Sequence, residues 1–219
     1  MAWRRNLPNL KRKIASREPK RRFILVCEGS KTERDYFNAL GAEYCDAIIK
    51  IEFIGGVGEP SAVAKRAIDE IKERGLQQKG NEISRLDSFE DNDEVWAVFD
   101  RDKRKHYDEP IKQCEKEQVQ VARSNPCFEL WMILHIEDYD KACDHKSIQK
   151  DLSKVCKEYN TRSKTADCAK LVVDVKTAER RALKLLKNRR NENTPFGPPS
   201  TTVGRLTARI RAASKKSKN

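Results

Sequence analysis

The sequence predicts an α/β protein: a mostly parallel four-stranded sheet flanked by helices, followed by a basic helical C-terminal part. Three observations predict it. Short apolar runs rich in β-branched residues recur between 22 and 122, segments with helical apolar spacing separate them, and after Asp138 only helical periodicity continues. Strands alternating with helices form parallel sheets covered on their faces, so each strand reads as a nearly continuous apolar run.

The elements follow in order. Arg22–Gly29, RFILVCEG, is a buried strand that stops at an acid and a glycine. Lys31–Tyr44 places Tyr36, Phe37, Leu40 and Tyr44 on one helical face. Ile48–Ile54 is β-branched and closes on Gly55-Gly56, a second strand. Pro60–Arg74 is a helix opened by Pro60-Ser61. Gly75–Asn92 is a polar surface connection, and Glu94–Asp102, EVWAVFDRD, a third strand ending in acids. A helix at Ile111–Glu117 and a short fourth strand at Val119–Ala122 follow. Phe128–Ile136 is an apolar helix with Pro126 expected at an early helical position. Lys146–Tyr159, Val175–Arg190 and Val203–Ala213 are helical with basic faces, and Asn191–Ser200, with its three prolines, is a loop. The expected organisation is a basic arm (1–21), an α/β domain (22–140), a helical basic part packed on it (141–213) and a basic tail (214–219), with no internal repeat.

No apolar run approaches the roughly 20 residues that span a bilayer, and charges break the N-terminal segment where a signal peptide would need an apolar core. Seven cysteines, an odd number with no Cys-x-x-Cys pair, fit a reducing compartment, so a cytoplasmic protein without membrane attachment is expected. Cys143, His145 and Cys156 match no standard zinc spacing.

The net charge of +12 is unevenly placed. Residues 1–22 carry nine basic and one acidic side chain, and residues 203–219 six basic and none acidic. Residues 141–190 carry a net +9, whereas residues 23–140 carry −10. An acidic lobe beside basic surfaces suits a metal enzyme acting on a polyanion, since carboxylates hold the cation and Lys/Arg hold phosphate; solvated tails and ordinary amphipathic helices give the same charge balance.

Two predicted strands end in carboxylates. The first gives Glu28, with Glu33 on the following turn; the third gives Asp100 and Asp102. In open parallel sheets functional groups gather at the carboxyl ends of strands. If these strands are neighbours the acids converge, and a hard cation such as Mg²⁺ or Mn²⁺ removes their mutual repulsion. Such an ion can orient water and polarise a phosphoryl oxygen. A strand-end acid by itself is more simply a solvated residue or a cap.

The segments FILVCEGSKTERDYF, AVFDRDKR, SNPCFELWMILH and PSTTV resemble the RloB-like family, a Toprim-related group of prokaryotic antiviral defence. The resemblance implies a Toprim-like fold, with Glu28 as the acid after the first strand and Asp100 and Asp102 as the Asp-x-Asp after a later one. It also implies a metal-dependent endonuclease acting on RNA, tRNA among the candidates, or DNA, beside an ATPase partner. Glu33 matches the acid of the family's EGxxTE pattern. Lys31, Lys103, Arg104 and His106 are candidate phosphate contacts, and Asn125, Glu129 and His135 are candidates around or beyond the fourth strand. Glu129 amid apolar residues needs a partner, and a lone His135 on an apolar helix is more simply a satisfied core residue.

Gly29-Ser30-Lys31-Thr32 lacks the spacing of a phosphate-binding Walker loop, because Leu25 stands where the first glycine belongs; self-contained ATPase activity is not expected. Gly55-Gly56-Val57-Gly58 is a turn without a nucleotide fingerprint. A non-catalytic nucleic-acid-binding or regulatory subunit is the alternative to the nuclease, and either could be a homo-oligomer.

Overall fold

The computed structural model describes residues 21–46, 49–75, 93–101 and 107–214. Its strands are β1 (Arg21–Cys27), β2 (Ile49–Ile54), β3 (Glu94–Asp100), β4 (Gln120–Asn125) and β5 (Ser200–Thr201). Its helices are α1 (Thr32–Tyr44), α2 (Pro60–Glu73), α3 (Asp108–Lys116), α4 (Glu129–Ile136), α5 (His145–Val155), α6 (Cys168–Val172), α7 (Val175–Asn191) and α8 (Val203–Ala213).

The strands form one sheet of order β2-β1-β3-β4-β5. Neighbours β1–β2, β1–β3 and β3–β4 are parallel. The sheet has five strands rather than four: β5 pairs antiparallel with the end of β4, Ser124 opposite Thr201 and Asn125 opposite Ser200. Two residues after a run of prolines are too short to show a strand period, so only the tertiary contact reveals β5.

Alternation along the strands builds two cores. Phe23, Leu25 and Cys27 join Trp96, Val98 and Ala122 on one face, under α1, α4 and the C-terminal helices. Ile24 and Val26 join Val95, Ala97 and Phe99 on the other, under α2 and α3. The C-terminal helices add Ile148, Leu152, Val175, Leu185, Leu206 and Ile210 to the first core, which is therefore continuous with that of the sheet. α8 is a core helix: Arg209 pairs with Glu94 and Arg211 with Glu179, so part of the C-terminal basic charge is spent internally.

Three further expectations shift. Pro126 lies outside α4, which begins at Glu129; Pro126 belongs to the turn leaving β4. The helix expected to reach Tyr159 stops at Val155, because Cys156 is extended and Asn160 bridges to Thr165. The short helix α6 was not anticipated; five residues carry too little periodicity. Most of the connection expected at 75–92 lies outside the described residues. Among the described residues no helix is long and apolar enough to cross a membrane.

Candidate active site at the carboxyl edge of the sheet

The order β2-β1-β3 makes the carboxyl edge between β1 and β3 the point where successive connections diverge, which is where open α/β sheets bind ligands. Cys27 pairs with Val98, so β1 and β3 run out together and deliver Glu28 and Asp100 to the same edge. The backbone N–H of Asp100 donates to Glu28 Oε1 at 3.3 Å, tying the two strand ends through the acid itself.

A cavity of about 340 Å³ opens there. Four carboxylates line it: Glu28, Glu33, Asp100 and Glu129. Glu33 comes from the first turn of α1 and Glu129 from the first residue of α4, so both helix N-termini favour negative charge at this spot. Lys31, Lys164, His145 and Gln149 lie on the walls.

The glycines of the site are explained by contact. A side chain at Gly29 would meet Glu33 Oε2 at 2.5 Å, so the acid-Gly strand end exists to let Glu33 fold back over the backbone. Gly55-Gly56-Val57-Gly58 is more than a turn. Gly56 N–H donates to Gly29 O at 2.9 Å and Gly58 N–H to Glu28 O at 3.3 Å, which fixes the acid-bearing loop. Gly56 and Gly58 have φ of 73° and 88°, a region that other residues enter at a cost.

The acids are crowded and partly desolvated. Burial pushes the Asp100 carboxyl well above its ordinary range, and Glu33, Glu129 and Glu28 push it the same way, against one hydrogen bond from the Phe128 amide. Burial and Glu129 also raise Glu33, opposed by backbone amides of Glu33 and Gly29 and by Lys164. Glu129 is 4% exposed and is held by neutral donors: Tyr159 Oη and Gln149 Nε2 each donate to Oε1 at 3.1 Å. The thiols of Cys27 and Cys127 beneath the acids are raised by burial and then by these carboxylates, so they are poor nucleophiles.

The structure thus brings Glu28, Glu33, Asp100, Glu129 and Lys31 to one cavity. Asp102, Lys103, Arg104 and His106 lie outside the described residues. His135 is not at the cavity. It is buried in the core, Nε2 3.0 Å from Tyr36 Oη and Nδ1 2.9 Å from Trp131 O, and burial lowers its pKa to about 4. Asn125 ends β4 but lines a neighbouring hollow, where its Nδ2 donates to Phe196 O at 2.8 Å. Lys164, Gln149, Tyr159 and His145 were not singled out as parts of an acid site; they arrive from distant loops and helices, and no local pattern marks them. Lys164 is held there by a positive φ of 53° and by Thr32 Oγ1, which donates to its carbonyl at 2.9 Å.

The donor set is all carboxylate oxygen, the chemistry a hard divalent cation takes. Among the described residues, no three His, Cys, Asp or Glu side chains stand close enough to grip an ion as they are, which also leaves Cys143, His145 and Cys156 without a zinc arrangement. A family model described as RloB-like protein matches residues 23–210. No curated protein and no solved structure matches the chain.

Proposed function

The chain belongs to the RloB-like family, and we propose that it is a Toprim-type, metal-dependent nuclease of prokaryotic antiviral defence, cleaving phosphodiesters of nucleic acid, RNA such as tRNA foremost, beside an ATPase partner. One observation carries this proposal: Glu28 and Asp100 end adjacent parallel strands at the sheet's switch point and face Glu33 and Glu129 across one cavity. Like charges crowded this way are costly unless a cation joins them.

Glu28 and Asp100 would hold Mg²⁺ or Mn²⁺ together with Asp102, with Glu33 and Glu129 beside them. When bound, such an ion supplies Lewis-acid polarisation of a phosphoryl oxygen and a more acidic water. The chain's own residues do the rest. The Gly29 and Phe128 amides orient Glu33 and Asp100. Tyr159 and Gln149 fix Glu129 so that its charge stays directed at the cavity edge. Lys31 and Lys164 draw the phosphate backbone toward the acids, as point charges do at phosphate sites.

The non-catalytic alternative, a nucleic-acid-binding subunit, draws on the absence of a preformed three-ligand group among the described residues. Purified protein incubated with tRNA or DNA and Mn²⁺ or Mg²⁺, with and without the ATPase partner, separates the two. The nuclease predicts cleavage that disappears in Glu28→Gln and Asp100→Asn. Binding without cleavage under every condition selects the alternative.

A further inference from the structure

A second hollow, about 760 Å³, adjoins the acid cavity and shares His145 with it. Resting on the proposed nuclease reading, we infer that this hollow is a nucleotide subsite: it receives one unpaired nucleotide of a single-stranded nucleic acid whose neighbouring phosphate lies over Glu28 and Asp100.

Position is the first argument. Arg101 directly follows Asp100, and its N–H donates to Ser124 O at 2.8 Å, so the floor of the hollow is the continuation of β3 and β4 beyond the acids. His145, the first residue of α5, forms the wall between hollow and cavity. A chain crossing that wall places one nucleotide in the hollow and the next phosphate among the carboxylates.

Chemistry is the second. Pro195 and Pro198 give exposed apolar surfaces, and the Arg101 guanidinium lies 5.7 Å from the centre of the Tyr107 ring. Bases stack on guanidinium planes irrespective of sequence and pack against apolar side chains, and arginine also pairs with phosphate. The volume lies within the roughly 300–1,000 Å³ usual for small-ligand sites. Asp144 also lines the hollow, but its carboxylate accepts Ser147 N–H at 2.9 Å and caps α5.

The third is the way the outer wall is built. The loop between α7 and β5 is pinned by three separate side chains. Asn125 donates to Phe196 O, Arg189 Nη1 donates to Pro198 O at 2.8 Å, and the Arg123 guanidinium lies 3.3 Å over the Phe196 ring. Asn193 and Phe196 both hold positive φ, 56° and 64°, a cost that folds accept mainly where a loop must keep one shape. The exposed side of α7, with Lys176, Arg180, Lys187 and Arg190, ends at this loop and supplies positive charge leading to it.

The test is binding without catalysis. A short fluorescein-labelled single-stranded oligonucleotide, made once as RNA and once as DNA, is titrated by anisotropy in chelator against wild type, Arg101→Gln, Pro195→Glu and the surface control Glu109→Gln on α3. Pro195→Glu places a negative charge on the exposed rim of the hollow. Melting curves confirm that each variant is folded. Expected are losses of about tenfold or more in affinity for Arg101→Gln and Pro195→Glu, the scale of one stacked base, with smaller losses on a duplex and none in Glu109→Gln. The RNA and DNA arms show which strand the hollow prefers. Wild-type affinity in both folded hollow variants, or no binding of either single strand by the wild type, overturns the inference. Weakened binding by the hollow variants of a protein that never cleaves keeps the subsite and discards the nuclease, so the two failures are distinct.

Discussion

Glu179 and two of the cavity acids, Glu33 and Glu129, are withdrawn from water, and the molecule treats them in opposite ways. Glu179, on α7, is 9% exposed and fully answered. Arg211 of α8 grips it through Nε at 3.1 Å and Nη2 at 2.5 Å, and Thr207 Oγ1 donates to it at 2.8 Å. This is a forked, charge-assisted contact that locks two helices together. At the sheet edge Glu33 and Glu129 are at least as buried, yet their partners are amides, a phenol and a carboxamide, and among the described residues no Lys or Arg forms an ion pair with Glu33, Glu129 or Asp100. Lys164 lies close enough only to moderate Glu33. A carboxylate kept for architecture is given a guanidinium. On the proposed reading, Glu33, Glu129 and Asp100, with no ion pair among the described residues, mark the place where a cation and a phosphate would enter together.

The contrast can be broken most decisively through activity. If the proposed nuclease reading holds, Asp100→Asn is expected to lower cleavage by more than about 100-fold, since residues that merely support a metal ligand already cost about 10–100-fold. Glu179→Gln should keep cleavage per folded molecule near wild type. Equal losses in the two variants, measured on folded protein with Mn²⁺, would erase the distinction.

Stability should show the reverse order. Arg211→Met leaves Glu179 buried without its cation, with Thr207 Oγ1 still donating to it, and should cost about 3–5 kcal/mol in denaturant unfolding. Asp100→Asn removes a repelled charge and should leave stability unchanged or raised by about 1 kcal/mol.

The pH dependence sharpens the same point. Asp100 and Glu33 bind protons more tightly folded than unfolded, because both are raised by burial and by neighbouring acids. Their destabilising contribution is complete above the folded pKa and vanishes below the unfolded one, near 4. In chelator, Tm of the wild type should therefore gain on Asp100→Asn as pH falls from neutrality. His135 acts the other way. Its pKa is lowered to about 4, so the unfolded chain takes up a proton that the folded chain refuses between about 6.5 and 4, and stability falls on acidification. Both proteins contain His135, so the difference between their melting curves isolates Asp100. A pH-independent difference would show that Asp100 is not crowded as described.

A smaller loss than that of Arg211→Met belongs to the neutral support. Tyr159→Phe removes one donor from Glu129 Oε1 and should cost about 1–2 kcal/mol, clearly less than Arg211→Met. A loss as large as that of Arg211→Met would mean that Tyr159 carries Glu129 as fully as a cation does.

Much of the sheet was legible because β1 and β3 are apolar runs and the longer covering helices keep their period. Phe23–Cys27 and Val95–Phe99 needed no partner to be recognised. Glu28 and Asp100 were legible as polar stops to those runs. Glu33 followed from its place after Gly29, although the reason, a carboxylate lying on the glycine backbone, is visible only in three dimensions. His135, offered as a site candidate but more simply read as a satisfied core residue, is a core histidine, since nearly two turns of α4 separate it from Glu129 and carry it into packed aromatic rings. Asp102 lies outside the described residues, so its place beside Asp100 rests on sequence.

By itself the sequence determined the layers: the four parallel strands, the apolar faces of the longer helices, and that acids end two of the strands. These are local properties, written in periods of two and 3.6 residues. Only the tertiary structure decided that β1 and β3 are neighbours, that β5 closes the sheet, and that Glu129, Lys164 and His145 meet Glu28. Strand order and cavity walls depend on contacts between residues far apart in the chain, and the free energy of those contacts comes from packing that no local window contains.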